Sequence, residues 1–150
     1  MTDWNAIGTD WNEQETADAM RELLPEWGFP TNSSIKLLSL SENAVFLVEC
    51  PLDNKKLVLR AHFQGYNTQA EIDAELIWLC AIIAETDLET VKPVPTLRGV
   101  LRNTLPDGRS IVGFEYIDGV LLEPGDDLRP TMETLGAMTA KLHLHSKTWC

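Results

Sequence analysis

Apolar residues recur along the chain with two different periods. Ala17, Met20, Leu23 and Leu24 fall at helical spacing, and Trp27-Gly28-Phe29-Pro30 stops that helix, because glycine admits a left-handed backbone and proline cannot continue the hydrogen-bond ladder. The first fifteen residues carry no such period and predict a loose arm. Ile35 to Leu40, Val45 to Cys50 and Lys56 to Phe63 are short apolar or β-branched runs. They are separated by the turn-prone segments Ser41-Glu42-Asn43 and Pro51-Leu52-Asp53-Asn54, and together predict an antiparallel meander. A helix follows from about Thr68 to Ala84, with Ile72, Leu76, Leu79 and Ile83 on one stripe. Beyond Pro93 and Pro95, Thr96 to Leu101 and Ser110 to Tyr116 read as strands joined by the turn Pro106-Asp107-Gly108. Ile117 to Pro130 reads as a linker. A last helix from about Arg129 to Ser146 carries Met132, Leu135, Met138 and Leu142 as an apolar stripe that no later residue covers.

These elements predict an α+β fold: a five-stranded antiparallel sheet with one packed helix, preceded by an N-terminal helix and followed by a linker and a final helix. The divisions fall at residues 1–30 for the arm and first helix, 31–117 for the sheet domain, and 118–150 for the linker and last helix. Composition narrows the function classes. With 12 Lys and Arg against 23 Asp and Glu, a net charge of −11 excludes a non-specific nucleic-acid binder, which holds phosphates with clustered cations. Neither a secretory leader nor an apolar run of membrane-spanning length is present, so a cytoplasmic protein without membrane contact is expected. Cys50, Cys80 and Cys150 form no CxxC pair; Cys50 and Cys80 read as small buried hydrophobes. His143 and His145, two apart on a helix, face different ways and do not make a metal pair.

Two charged residues stand out by position. On the third strand Leu57, Leu59, Ala61 and Phe63 form the core face, so Val58, Arg60 and His62 project from the opposite one. On the following helix, stepping about 100° per residue from Ile72 places Glu75 about 60° off the stripe, while Glu71 and Asp73 lie about 100° away on opposite sides. A carboxylate at that boundary calls for a cation. Arg60 and Glu75 are therefore expected to pair, although a surface ion pair for the one and a solvated helix acid for the other are the alternatives from the residues alone.

Four segments in order, Ser41-Glu42-Asn43-Ala44-Val45-Phe46, Leu57-Val58-Leu59-Arg60, Ile72-Asp73-Ala74-Glu75-Leu76-Ile77-Trp78-Leu79 and Phe114-Glu115-Tyr116-Ile117-Asp118-Gly119, resemble the aminoglycoside phosphotransferase family, which includes choline kinase and homoserine kinase relatives. Leu135-Gly136 to Leu142-His143-Leu144-His145 is similar to the first C-lobe helix of that family. The resemblance implies a protein-kinase-like N-terminal lobe that binds ATP. In it Arg60 stands where relatives have a phosphate-gripping Lys, Glu75 pairs with it, and Val58 roofs the adenine. Ser41 and Asn43 lie on a phosphate-covering turn that here lacks glycine, which disfavours a typical protein kinase. The main chain of Glu115, Tyr116 and Ile117 would read the adenine edge.

The parent activity implied is transfer of the ATP γ-phosphate to a hydroxyl of a small substrate. The family's His-x-Asp-x-x-x-x-Asn loop and the Asp that holds Mg²⁺ would lie beyond Cys150, for no His-x-Asp occurs in these 150 residues. The stretch alone is thus expected to be inactive, its last helix covered by a missing C-terminal lobe or by self-association. The alternatives are a non-enzymatic α+β interaction module and the N-lobe of an atypical protein kinase.

Overall fold

The computed structural model describes residues 11–120 and 122–149. Helix α1 spans Glu13–Leu23 and starts where Asn12 accepts the Glu15 N–H with its side chain at 3.1 Å. Glu13 and Glu15 in its first turn meet the positive end of the helix dipole. A 3₁₀ turn, Leu24–Trp27, continues it and ends at Gly28, whose φ of +76° is open to glycine at little strain. The expected loose arm is thus too long at its C-terminal end. The helix begins before its first apolar residue because the Asn12 cap, not the periodicity, sets the start, and Trp11 packs edge-on against Phe63 with ring centroids 6.5 Å apart. The rest of that arm, residues 1–10, lies outside the described residues.

The sheet contains β1 (Ser34–Leu40), β2 (Asn43–Glu49), β3 (Lys56–His62), β4 (Pro93–Val94), β5 (Arg102–Thr104) and β6 (Ser110–Glu115), all pairs antiparallel, in the order β1-β2-β3-β6-β4 with β5 also on β6. β4 pairs with Phe114 and Gly113 while β5 pairs with Val112 to Ser110, so the two lie end to end along one edge of β6. The strand expected at Thr96 to Leu101 does not form. Thr96 and Val100 instead close a turn, Thr96 N–H donating to the Val100 carbonyl at 2.8 Å and Gly99 N–H to the Thr96 carbonyl at 2.8 Å. Gly99 sits at φ +81° in that turn, a conformation that interrupts a strand. The fifth lane of the sheet is therefore split into two short pieces.

Each face of the sheet carries its own helix. Ala44, Phe46 and Val48 of β2, Leu57, Leu59 and Ala61 of β3, and Ile111 of β6 pack against Met20, Leu24 and Trp27, forming the larger core. Each such buried Leu, Phe or Met contributes about 1.5–3 kcal/mol through removal of apolar surface from water. On the opposite face lies α2 (Gln69–Glu85), opened by a reciprocal capping box between Thr68 and Glu71. Its Ile72 and Leu76 pack with Val112 and Phe114, and Val58 and Leu79 join them. Toward its end the buried residue is Ile82 rather than Ile83. Cys50 is buried as expected, whereas Cys80 is exposed, one turn past the buried Leu76. Helix α3 (Arg129–Thr148) follows the linker and has no buried residue; Met132, Leu135 and Leu144 are exposed.

One close approach ties α1 to the far edge of the sheet. The Trp27 indole N–H crosses Gly113 to donate to the Val94 carbonyl at 3.0 Å, and a Cβ at position 113 would lie 2.7 Å from the indole nitrogen and 3.2 Å from the Val94 oxygen. Gly113→Ala is expected to cost about 1–3 kcal/mol through overpacking. Urea unfolding measures this as a lower midpoint; an unchanged midpoint would show that the indole can leave without loss.

Candidate nucleotide site

The antiparallel register lays the α2 side of the sheet out in rows, since directly opposed residues share a face. Leu47, Val58 and Phe114 form one row; Val45, Arg60, Val112 and Arg102 form the next; Asn43 and His62 lie beyond it. Apolar residues therefore lie toward the end of β6, a pair of cations in the middle, and polar residues near the β1–β2 turn.

Both cations meet carboxylates of α2. Arg60 Nη2 donates to Glu75 Oε1 at 2.8 Å, and the guanidinium carbon lies 4.9 Å from the centroid of the Phe114 ring. The Arg60 side chain is 20% exposed and that of Glu75 46%, so the pair is only half withdrawn from water. Arg102 holds Asp73 with two bonds, Nε to Oδ1 at 2.7 Å and Nη2 to Oδ2 at 3.0 Å. The Arg102 hydrogen bonds hold the Asp73 carboxyl below its usual range, burial opposing them weakly, and Asp73 in turn raises Arg102. The first pair follows the sequence expectation. The second was not foreseen, because the strand assigned to Thr96–Leu101 left Arg102 in a turn with no defined face.

Val58, Arg60, Glu115, Tyr116 and Ile117 border one cavity of about 300 Å³, together with Leu38, Val45, Val91 and Phe114. Val58 and Val45 wall it from the sheet and Arg60 stands at its polar end. The Glu115 N–H is taken by the Lys92 carbonyl at 2.9 Å. Past the end of β6 the chain continues along the cavity through Tyr116 and Ile117. Glu75 reaches Arg60 from the helix side and does not line the cavity. Ser41 and Asn43 do not line it either: Ser41 N–H donates to the Asn43 carbonyl at 3.1 Å, closing a tight turn beside it. Leu38, Val45, Val91 and Phe114 also line it and were not among the expected site residues; Val45 and Phe114 belong to the segments that carry the family resemblance, whereas Leu38 and Val91 belong to none.

Four polar atoms on this face are buried without a partner among the described residues: Asn43 Oδ1, Arg60 Nε and both ring nitrogens of His62. His62 is 3% exposed. Burial, then the neighbouring Arg60 charge, pushes its imidazole down from 6.5 to about 4, Glu75 opposing weakly. The ring is neutral in the folded protein near neutral pH, so the unfolded chain takes up the extra proton between these values. Stability is therefore expected to fall, by roughly 2–3 kcal/mol, as pH drops from about 6.5 toward 4. His62→Leu should flatten that part of the pH–stability curve, read by urea unfolding at stepped pH; an equal slope in both proteins would place the titration elsewhere.

Neither the protein-family models nor the curated proteins yield a match to this chain. Among solved structures it is similar to the microcompartment-associated aminopropanol kinase, with a TM-score of 0.74 and 36% identity over 87% of this chain. The match takes in 41% of that kinase, so the present chain spans less than half of its length. The α+β architecture described above is thus that of a kinase-like fold.

Proposed function

We propose that this chain is the ATP-binding portion of a small-molecule phosphotransferase, a kinase that moves the γ-phosphate of ATP to a substrate hydroxyl. The observation that carries the reading is Arg60. One edge of its guanidinium is held by Glu75 and its face by Phe114, and it stands at the polar end of a cavity otherwise walled by aliphatic side chains and a strand end. A flat apolar slot with one fixed cation suits a purine and its phosphates. Arg60 would grip α- and β-phosphate oxygens, Val58 would roof the base, and the Glu115–Ile117 main chain would read its edge. Arginine in place of lysine keeps the charge at every pH and offers a planar fork.

The similarity to an aminopropanol kinase supports an amino alcohol as the substrate class. It also fits the family resemblance in the sequence, choline kinase relatives acting on substrates of this kind. Mg²⁺ would arrive with the nucleotide; among the described residues no three His, Cys, Asp or Glu side chains converge to hold a metal, so no step is assigned to a protein-bound ion. The exposed Met132 and Leu135 of α3, on one side of the helix, offer a surface for a further lobe or a second copy. No helix among the described residues is long and apolar enough to cross a membrane.

Titration of the chain with a fluorescent ATP analogue and MgCl₂ tests the reading. Saturable binding is expected, weakened at least tenfold by Arg60→Ala, with no transfer of phosphate to an amino alcohol by the 150-residue chain. Equal affinity of wild type and Arg60→Ala would remove the assignment of the cavity.

A further inference from the structure

Helix α3 is attached to α2 through a row of polar groups and one ring contact. Lys141 and His145, four apart, lie along one face of α3, and Trp149 follows as its C-terminal cap. Trp78 and Glu85, seven apart, share a face of α2, and Asp87 lies just past its end. These two faces interlock. Trp78 Nε1 donates to His145 Nδ1 at 3.3 Å, His145 Nε2 lies 2.9 Å from Glu85 Oε2, and Lys141 Nζ reaches both Asp87 oxygens at 2.8 Å. The Trp149 ring sits 6.4 Å from that of Trp78. An indole N–H can only donate, so Nδ1 of His145 must be bare and Nε2 must carry the hydrogen given to Glu85. The imidazole is 7% exposed and bridges two points separated by two turns of α2.

A bridge of that kind fixes a helix against rolling about its axis, and the roll of α2 decides where Glu75 points. Trp78 is one turn from Glu75. The near end of α2 is fixed by Asp73 on Arg102 and by Ile72 and Leu76 packed on β6, while in its far half Leu79 joins that cluster and Ile82 is buried. We propose that His145 is a positioning residue for the candidate nucleotide site: by joining Trp78 to Glu85 it braces the far half of α2 against rolling, beyond what the Asp73–Arg102 pair does at the near end, and so holds Glu75 on Arg60. The nucleotide consequence rests on the proposed function above; the mechanical one does not.

The test separates the two. A double-mutant cycle of Arg60→Ala and Glu75→Ala, read by urea unfolding, gives the coupling between those side chains, and is repeated in a His145→Leu background. Coupling should fall by at least half, and the Arg60 guanidinium ¹⁵N resonances should lose the shift that the ion pair gives them. His145→Gln, which keeps one acceptor and one donor, should restore much of both. Should His145→Leu fail to fold, Trp78→Phe removes only the indole donor and its small ring fraction, and takes its place in the cycle. Affinity for the ATP analogue should drop about three- to tenfold in His145→Leu and recover in His145→Gln. Undiminished Arg60–Glu75 coupling in the folded variant overturns the proposal. If wild type binds no analogue, the nucleotide reading fails while the cycle still decides the role of His145.

Discussion

A guanidinium fixed on a half-buried sheet face must meet a carboxylate or remain a costly, poorly solvated charge. β3 gives Arg60 no freedom to move away, being paired on one side with β2 and on the other with β6. Arg102 is fixed in the same row across β6. The position of α2 follows from satisfying both. Its apolar residues Ile72 and Leu76 sit over Val112 and Phe114 of β6, and the acids on the two flanks of that stripe reach in opposite directions, Glu75 to β3 and Asp73 to β5. A helix turned by even one residue would put one acid over an apolar strand and strand an arginine. The apolar stripe supplies most of the affinity between helix and sheet; the two ion pairs select the register.

The two faces of the sheet then divide the work. Against α1 the contacts are almost wholly apolar and fully buried, and the Trp27 indole ties that layer to β4. Such packing makes a stiff plate. On the other face the packing is thinner and interrupted by Arg60, His62 and Asn43; polar atoms of all three lack partners among the described residues, and of the three Arg60 borders the cavity. A rigid sheet carrying partly unsatisfied groups on one side is what a binding site for a charged ligand requires, since the ligand can replace the missing hydrogen bonds without rebuilding the backbone. The net charge of −11 is no obstacle in itself, because Glu75 is committed to Arg60, Asp73 to Arg102, and Glu115, which borders the cavity, lies 4.0 Å from Lys92.

What was legible in the sequence is what depends on period and alternation. β3's alternation separated Leu57, Leu59 and Ala61 from Val58 and Arg60, and the helical angle of Glu75 put it beside Arg60; both pieces of geometry are local and repeat faithfully. Where several signals competed, the reading failed. Thr96 to Leu101 has strand-like composition, but a single glycine at φ +81° and the bonds between Thr96 and Val100 turn it back, and the misplaced strand hid the Arg102–Asp73 pair. Trp11 shows no period because one residue cannot, yet Phe63 gives it a packing partner from far along the chain. The isolation of His62 is a property of three strands and a helix meeting, which no local pattern encodes.

Helix α3 shows how two faces of one helix can serve different ends. Its apolar stripe was the stronger signal in the sequence, but the structure attaches the helix through Lys141, His145 and Trp149, and buries none of its residues. Polar contacts between surfaces are directional and contribute little net affinity, so they fix angle better than they hold two elements together. An apolar face has the opposite character: it contributes affinity and tolerates sliding. The arrangement on α3 therefore leaves Met132 and Leu135 of its apolar stripe exposed, with Met138 and Leu142 partly covered, while the directional face grips α2. A surface that covered Met132 and Leu135 would add affinity to an orientation that the Lys141, His145 and Trp149 contacts already set.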